Sequence, residues 1–262
     1  MKNNNYAPVG GEHNKLVYLK RVQLACLVCF CITIVLVPSM LTSKPDLNYY
    51  VLDTTNFSSK PAVVHHSSSA PYTLLILFLF PSTLEHFFAV AFPDRYYNFV
   101  KGIGWHRWVS YAISAPSLMA LVIYSIGPGS EIAISILTSG LILVCIGIGP
   151  IVEHAHETRN DFLFKLGIMV GFVALFFAFV PVWYYYHRAD IPSDIEPFVA
   201  AMVAIITTLY WSFGFVPIYL YKVDNVPPNT PHYKREIIYC TLSLCSKLPL
   251  AYLYASMLFT RF

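Results

Sequence analysis

"SLCSKLPLAYLY", residues 243–254, lies in an apolar run from about Ile237 to Phe259 in which Lys247 is the only charge. A run of this length is what an α-helix needs to cross a bilayer, on the order of 20 residues at 1.5 Å each. Lys247 sits near its middle, too deep to reach the interface comfortably. A charge there costs about 2.5–3.5 kcal/mol on insertion scales and marks a functional site by default. Two readings follow. Desolvation disfavours the charged form and leaves a nucleophilic amine able to form a Schiff base with an aldehyde. Alternatively, the lysine pairs with an acid and holds two helices together.

Working outward, the same kind of segment recurs. The 262 residues are 56% hydrophobic and 12% charged, against about 25% charged in a soluble domain, and the mean hydropathy is +0.57. Apolar blocks fall at roughly 21–42, 72–92, 106–127, 131–153, 163–186, 197–221 and 237–260. They predict an all-α membrane protein, a seven-transmembrane-helix bundle over 21–262. The polar residues 1–20 read as a short disordered or interfacial tail on the cytoplasmic side. No cleavable signal is visible, so the first helix serves as its own insertion signal. Mixed charge and a net +3 say nothing about nucleic acid, and without a basic patch interleaved with aromatics no nucleic-acid partner is expected.

Charge asymmetry predicts the orientation. The tail and the even-numbered connections carry Lys2, Lys15, Lys20, Arg21, Arg95, Lys101, Arg107, Arg159, Lys165, Lys222, Lys234 and Arg235. The opposite side carries Lys44, Lys60, Arg188 and Arg261. The positive-inside rule then places the N-terminus in the cytoplasm and the C-terminus outside, in an integral protein of the plasma membrane. The longest connection, 43–71, is outside. Its Tyr-Tyr-Val-Leu and Ala-Val-Val runs around "NFSSKP" predict a short β-hairpin between helices 1 and 2. "NFS" at 56–58 is a glycosylation sequon on the correct side, with Asn56 as acceptor.

Of the fourteen acidic residues, only Glu85, in "PSTLEHFF", reads as well inside a helix. Helical spacing puts Ser82, Glu85 and His86 on one face as a proton-handling trio. "TLYWSFGF", 208–215, supplies Tyr210, Trp211 and Phe213, suited to wall a pocket for a flat apolar ligand or simply to pack. Trp183 and Tyr184–Tyr186 fit an interfacial aromatic belt. The six cysteines all fall inside predicted helices, so no disulfide framework is expected, and "CLVC" at 26–29 reads as small apolar filler. "GPIVEHAHETRND", 149–161, holds Glu153, His154, His156 and Glu157. It reads as a wet helix end rather than a metal site, with Glu153 placed for an internal proton path. No metal and no catalytic role are assigned.

"RWVSYAISAPSLMALVIYSIG", 107–127, and "SLCSKLPLAYLY" together resemble helices three and seven of microbial rhodopsins, and more closely those of the heliorhodopsins. That family reads Arg-Trp-(Val or Ile)-Glu-Tyr-Ser-(Leu or Ile)-Ser in helix three and places its retinal lysine in a Ser-Leu-x-x-Lys context. Arg107, Trp108, Tyr111 and Ser114 match the first, Ser243 and Lys247 the second. "LFLFPSTLEHF", 77–87, resembles the helix-two pattern through Ser82 and His86. The inverted orientation and outer hairpin agree with the family. The resemblance implies all-trans retinal joined to Lys247 as a Schiff base, in a pocket that includes Ser110, Tyr111, Ser114, Trp211, Phe213 and Ser243. It also implies a homodimer in the lipid bilayer, a slow photocycle and signalling to a cytoplasmic partner rather than enzyme activity.

The departures bear on charge balance. The family's counterion position, the Glu after Arg-Trp-Val, is Ser110 here. Glu85 takes over as counterion, or an anion such as chloride binds near Ser110, or the resting base is neutral and absorbs near the ultraviolet. The first helix, "RVQLACLVCFC", lacks the histidine of many members, which reduces the proton-accepting pair to His86. With Ser82, Glu85 and Arg107, that residue forms the predicted proton-handling set. Three functions are open: a light sensor, a light-gated proton channel or transporter of the same fold, and a seven-helix receptor or lipid enzyme in which Lys247 pairs with Glu85.

Overall fold

The computed structural model describes residues 10–42, 70–126, 132–188, 193, 196–223 and 232–260. The expected hairpin and the sequon at 56–58 lie outside these residues, and no strand occurs among them.

Eight helices follow one another: α1 (Gly10–Thr42), α2 (Ala70–Ala91), α3 (Pro93–Val100), α4 (Trp105–Ile126), α5 (Ile132–Glu157), α6 (Asp161–Arg188), α7 (Glu196–Val223) and α8 (Tyr233–Thr260). α1, α2 and α5 to α8 are long and apolar enough to cross a membrane. α4 is as long as α2, 22 residues, but its Trp-His-Arg-Trp start and its serines lower its hydropathy. Each long helix packs on the next, α1 on α2, α2 on α4, then α4, α5, α6, α7 and α8 in turn, and α8 closes the ring on α1. The chain is a multi-pass membrane protein.

Two features differ from expectation. α1 begins at Gly10, inside the polar stretch that reads as a tail, and Leu19 is already buried. α3 is an additional short helix. Pro93 starts it, where its fixed φ and missing N–H do no harm, and it folds back across one end of the bundle, burying Tyr96 and Val100 against Leu19, Ala89 and Tyr233. The backbone N–H of His232 bonds the Val100 carbonyl at 3.1 Å, which ties α3 to the start of α8.

The interior is divided. Toward the end opposite α3, the core is apolar, with Phe30, Phe78, Leu79, Met119, Val122 and Ile206 all at or near zero exposure. Toward the α3 end lie buried Gln23, His86, Arg107, Glu153, Arg235 and Glu236. Lys247 stands at the boundary. Pro81, Pro116 and Pro249 interrupt α2, α4 and α8 within two residues of Ser82, Ser114 and Lys247. A proline removes a helix hydrogen bond and frees a carbonyl, and in a membrane side chains re-satisfy such groups. Apart from the carbonyl that Pro116 itself frees, the Ala115 carbonyl accepts from the Tyr210 hydroxyl at 2.7 Å and the Pro116 carbonyl from Ser139 Oγ at 3.1 Å, which ties α4 to α7 and α5.

Candidate functional site

The Lys247 side chain leaves α8 and reaches across to α2 and α4. Its Nζ donates to Ser82 Oγ and, at 2.8 Å, to Ser114 Oγ. Ser110 Oγ stands 3.5 Å from Ser82 Oγ and completes a group of three hydroxyls. The Tyr111 and Phe78 rings flank Nζ at 5.2 and 5.8 Å. Lys247 is 5% exposed, and it makes no ion pair among the described residues. Pairing with Glu85, the premise of the receptor reading, is therefore not what holds it. Among the described residues no acid, Glu85 included, forms a hydrogen bond or ion pair with Lys247.

Beyond Nζ opens a cavity with about 960 Å³ of space between atoms, part of it open to the outside. Its walls are aromatic. Trp108, Tyr111, Phe213 and Tyr239 pack on one another, with Trp108 edge-on to Tyr111 at 6.1 Å and Tyr111 edge-on to Phe213 at 5.4 Å. Edge-to-face pairs of this kind are favoured by the ring quadrupoles and keep the wall rigid. Tyr210 and Phe172 close the α6–α7 side. Glycines admit these rings: a Cβ on Gly214 would lie 2.9 Å from Phe172 Cε1, and one on Gly149 would fall on the Trp108 ring. Gly149→Ala should therefore overpack the wall, lowering stability by about 1–3 kcal/mol and shifting the spectrum of any ligand in the cavity. Thermal unfolding and absorption of the variant check both. Among the described residues that line the cavity, Lys247 is the one with a charged side chain.

The remaining expected site residues separate. Trp211 stacks on Phe172 at 5.3 Å, behind the wall and outside the cavity lining. Ser243 is buried one turn before Lys247, its Oγ without a hydrogen-bond partner. Ser82, Glu85 and His86 do not act as one trio. Ser82 faces α8, His86 faces α1, and Glu85 faces His106 on α4 at 3.9 Å. α2 runs between these three helices, so adjacent positions on one face reach different partners.

Gln23 of α1, unmarked in the sequence reading, stands beside His86, and a chain of donors fixes its orientation. Glu236 accepts from the Arg107 guanidinium and, at its Oε2, from the Tyr96 hydroxyl at 3.1 Å. Tyr96 therefore accepts from Gln23 Nε2 at 2.6 Å, which turns Gln23 Oε1 toward His86 Nδ1. Nδ1 must donate, and Nε2 is left as a buried lone pair without a partner.

Arg107 belongs to a different centre from Lys247. Its guanidinium bonds Glu153 of α5 and Glu236 of α8, and lies over the Tyr239 ring at 4.2 Å. Gly104, where a Cβ would lie 2.8 Å from the Arg107 Cζ, lets the guanidinium in and donates its own N–H to Glu153 Oε2 at 2.9 Å. Arg235 bonds the Gly102 carbonyl and lies 3.7 Å from Glu153 and from Glu236. Glu85 is therefore not the only internal acid: Glu153 is 4% exposed and Glu236 0%. The segment 149–161 is not simply a wet helix end, since Glu153 and His156 are buried, the one by its two arginines and the other against Tyr221 and His232. No metal-binding group of three or more His, Cys, Asp or Glu occurs among the described residues, and the cysteines described are all free.

Among solved structures the chain is similar to the Exiguobacterium sibiricum rhodopsin, with a TM-score of 0.68 and 14% identity over 94% of this chain and 97% of that one. It is also similar to the thermophilic rhodopsin from Rubrobacter xylanophilus, with a TM-score of 0.67 and 12% identity over 92% and 96%. At such identities the likeness shows the fold alone. No curated protein sequence matches. The heliorhodopsin family model matches residues 19–258, nearly the whole chain, and the chain therefore belongs to the heliorhodopsin family.

Proposed function

We propose that this chain is a light sensor that holds all-trans retinal as a Schiff base on Lys247. The observation that carries the reading is a buried primary amine that lines a cavity rich in aromatic side chains and donates to hydroxyls alone. The residues present fit retinal. Lys247 would hold its carbonyl carbon, Trp108, Tyr111, Phe213 and Tyr210 would hold the polyene and ring, and the apolar walls would keep water from the imine. When bound, retinal supplies absorption of visible light and isomerisation. The protein's part is to confine and orient, and to balance the charge at the Lys247 nitrogen. Glu85 is the counterion, without direct contact to Lys247, and no bound anion is needed near Ser110.

α4 completes a set of seven spans, and the N-terminus faces the cytoplasm of the plasma membrane, as the twelve-to-four distribution of basic residues favours. In this orientation α3 and the Arg107 centre lie at the cytoplasmic face, where a homodimer would signal to a partner protein. A second reading is light-gated proton conduction. What favours it is the continuous buried series His86, Gln23, Tyr96 and Glu236, which leads from α2 to the α3 end. Voltage clamp under illumination separates the two, since a sensor gives no photocurrent.

The first test is an absorption spectrum of the retinal-loaded protein titrated from acid to alkaline pH. The expected result is a visible band at neutral pH that gives way to a near-ultraviolet band as pH rises. In Glu85→Gln the visible band is lost at lower pH, because a protonated imine without its counter-charge releases its proton more readily. A near-ultraviolet band at neutral pH in the wild type removes Glu85 from the role. Absence of bound retinal removes the rhodopsin function.

A further inference from the structure

The roles assigned so far leave out His106. It lies one turn before Ser110 on α4, with its side chain 9% exposed and both ring nitrogens without a hydrogen-bond partner. Its surroundings come from four helices. From α2, Glu85 Oε1 stands 3.9 Å from Nε2; from α8, Glu236 Oε2 stands 3.4 Å from the same nitrogen. From α3, the Tyr96 ring meets the imidazole edge-on at 4.9 Å and Phe99 covers it at 5.9 Å. On its own helix, Arg107 carries the neighbouring guanidinium, already bonded to Glu236 and Glu153.

The two carboxylates differ. Glu236 is tied to Arg107 and Tyr96 and remains a fixed anion. Glu85 has no other hydrogen-bond or ion-pair partner among the described residues. One imidazole nitrogen thus stands between a carboxylate with no other partner and a carboxylate already bonded to Arg107 and Tyr96. A histidine that only filled space here would have no reason to bring the same nitrogen to both.

We propose that His106 is the proton-exchange partner of Glu85 and carries protons from α2 toward the α3 end. Once Glu85, a carboxylate while it serves as counterion, has taken a proton from the Lys247 nitrogen, the forward step breaks the O–H bond of its carboxylic acid and forms an N–H bond at His106 Nε2. Glu85 is left as carboxylate and the neutral His106 ring becomes imidazolium. The reverse step restores both groups, and no other reactant is needed. The proposal rests on the reading of Glu85 as the acid that serves Lys247.

Two measurements test it. The first is ¹⁵N NMR of the His106 ring in the dark, in the full chain without retinal, for wild type and Glu85→Gln. The Nε2 resonance should move on substitution, and an unmoved resonance overturns the pairing. This arm needs no chromophore, so it stands if the retinal reading fails. The second follows, by time-resolved infrared spectroscopy of the retinal-loaded protein, the light-induced carboxylic acid band that Glu85→Gln removes. In His106→Gln its decay should slow about a hundredfold, the scale of a positioned acid–base group. In His106→Gly added imidazole should restore the rate, which a structural role would not allow. An unchanged decay in His106→Gln, or no response to imidazole in a folded His106→Gly, overturns the proposal.

Discussion

Lys247→Ala should give a folded protein that forms no pigment. Added all-trans retinal should leave the spectrum of the free aldehyde, and borohydride should fix no retinyl group to the peptide containing position 247. The effect is complete because chemistry, not affinity, is removed: no other primary amine of the described residues lies in the cavity lining. Stability should change little. The substitution leaves the Ser82 and Ser114 hydroxyls short of one partner, a loss of about 1 kcal/mol each. It also removes an amine that is expensive to keep in an apolar interior, and the two effects oppose one another. A visible band that survives in Lys247→Ala would sink the assignment of the linkage. A variant that unfolds would show the lysine to be structural instead.

Much of this site was legible in one dimension. A single lysine in an uncharged run, three serines on two other apolar segments and a Tyr-x-x-Phe pair all belong to helices whose period is readable, so their convergence follows once the helices pack. The Arg107 centre was not. Glu153 and Glu236 lie near helix ends, and a carboxylate near a helix end is ordinarily solvated. What buries them is the meeting of α4, α5 and α8 under α3, and α3 itself is eight residues between two longer runs. Gln23 and His106 were missed for a related reason. Each is a single polar residue without a partner on its own helix, and only the partners Tyr96, His86, Glu85 and Glu236, on other helices, give it a role. One signal was available: the buried centre balances Arg107 and Arg235 against Glu153 and Glu236, with Gly104 three residues before Arg107. The start of α1 at Gly10 was missed because polar residues at 12–15 read as a tail, although Leu16 and Leu19 already sit at helical spacing.

Arg107→Met should be among the most destabilising single substitutions in the chain. An exposed ion pair is worth at most about 1 kcal/mol, but Arg107 is 1% exposed and serves two carboxylates that are themselves buried. Removing one partner of a buried pair costs about 3–5 kcal/mol, because the remaining charge has neither water nor a partner. Here two charges remain. Glu153 keeps the Gly104 N–H at 2.9 Å and Arg235 at 3.7 Å, and Glu236 keeps Tyr96 and Arg235, so Arg235 compensates in part and the loss should fall near the lower end of that range. Methionine fills much of the volume over Tyr239, which keeps lost packing a minor part of the effect. The decisive comparison is the double variant Arg107→Met with Glu153→Gln. If uncompensated charge dominates, neutralising Glu153 returns part of the stability, and the double variant unfolds later than Arg107→Met alone. Residues in one network are expected to couple in this way. If the double variant is instead worse by the sum of the two single losses, the centre is held by packing and hydrogen-bond geometry, and its charges carry little of its stability. Chemical unfolding of the three variants in detergent, followed by tryptophan fluorescence from Trp108 beside the guanidinium, measures the difference.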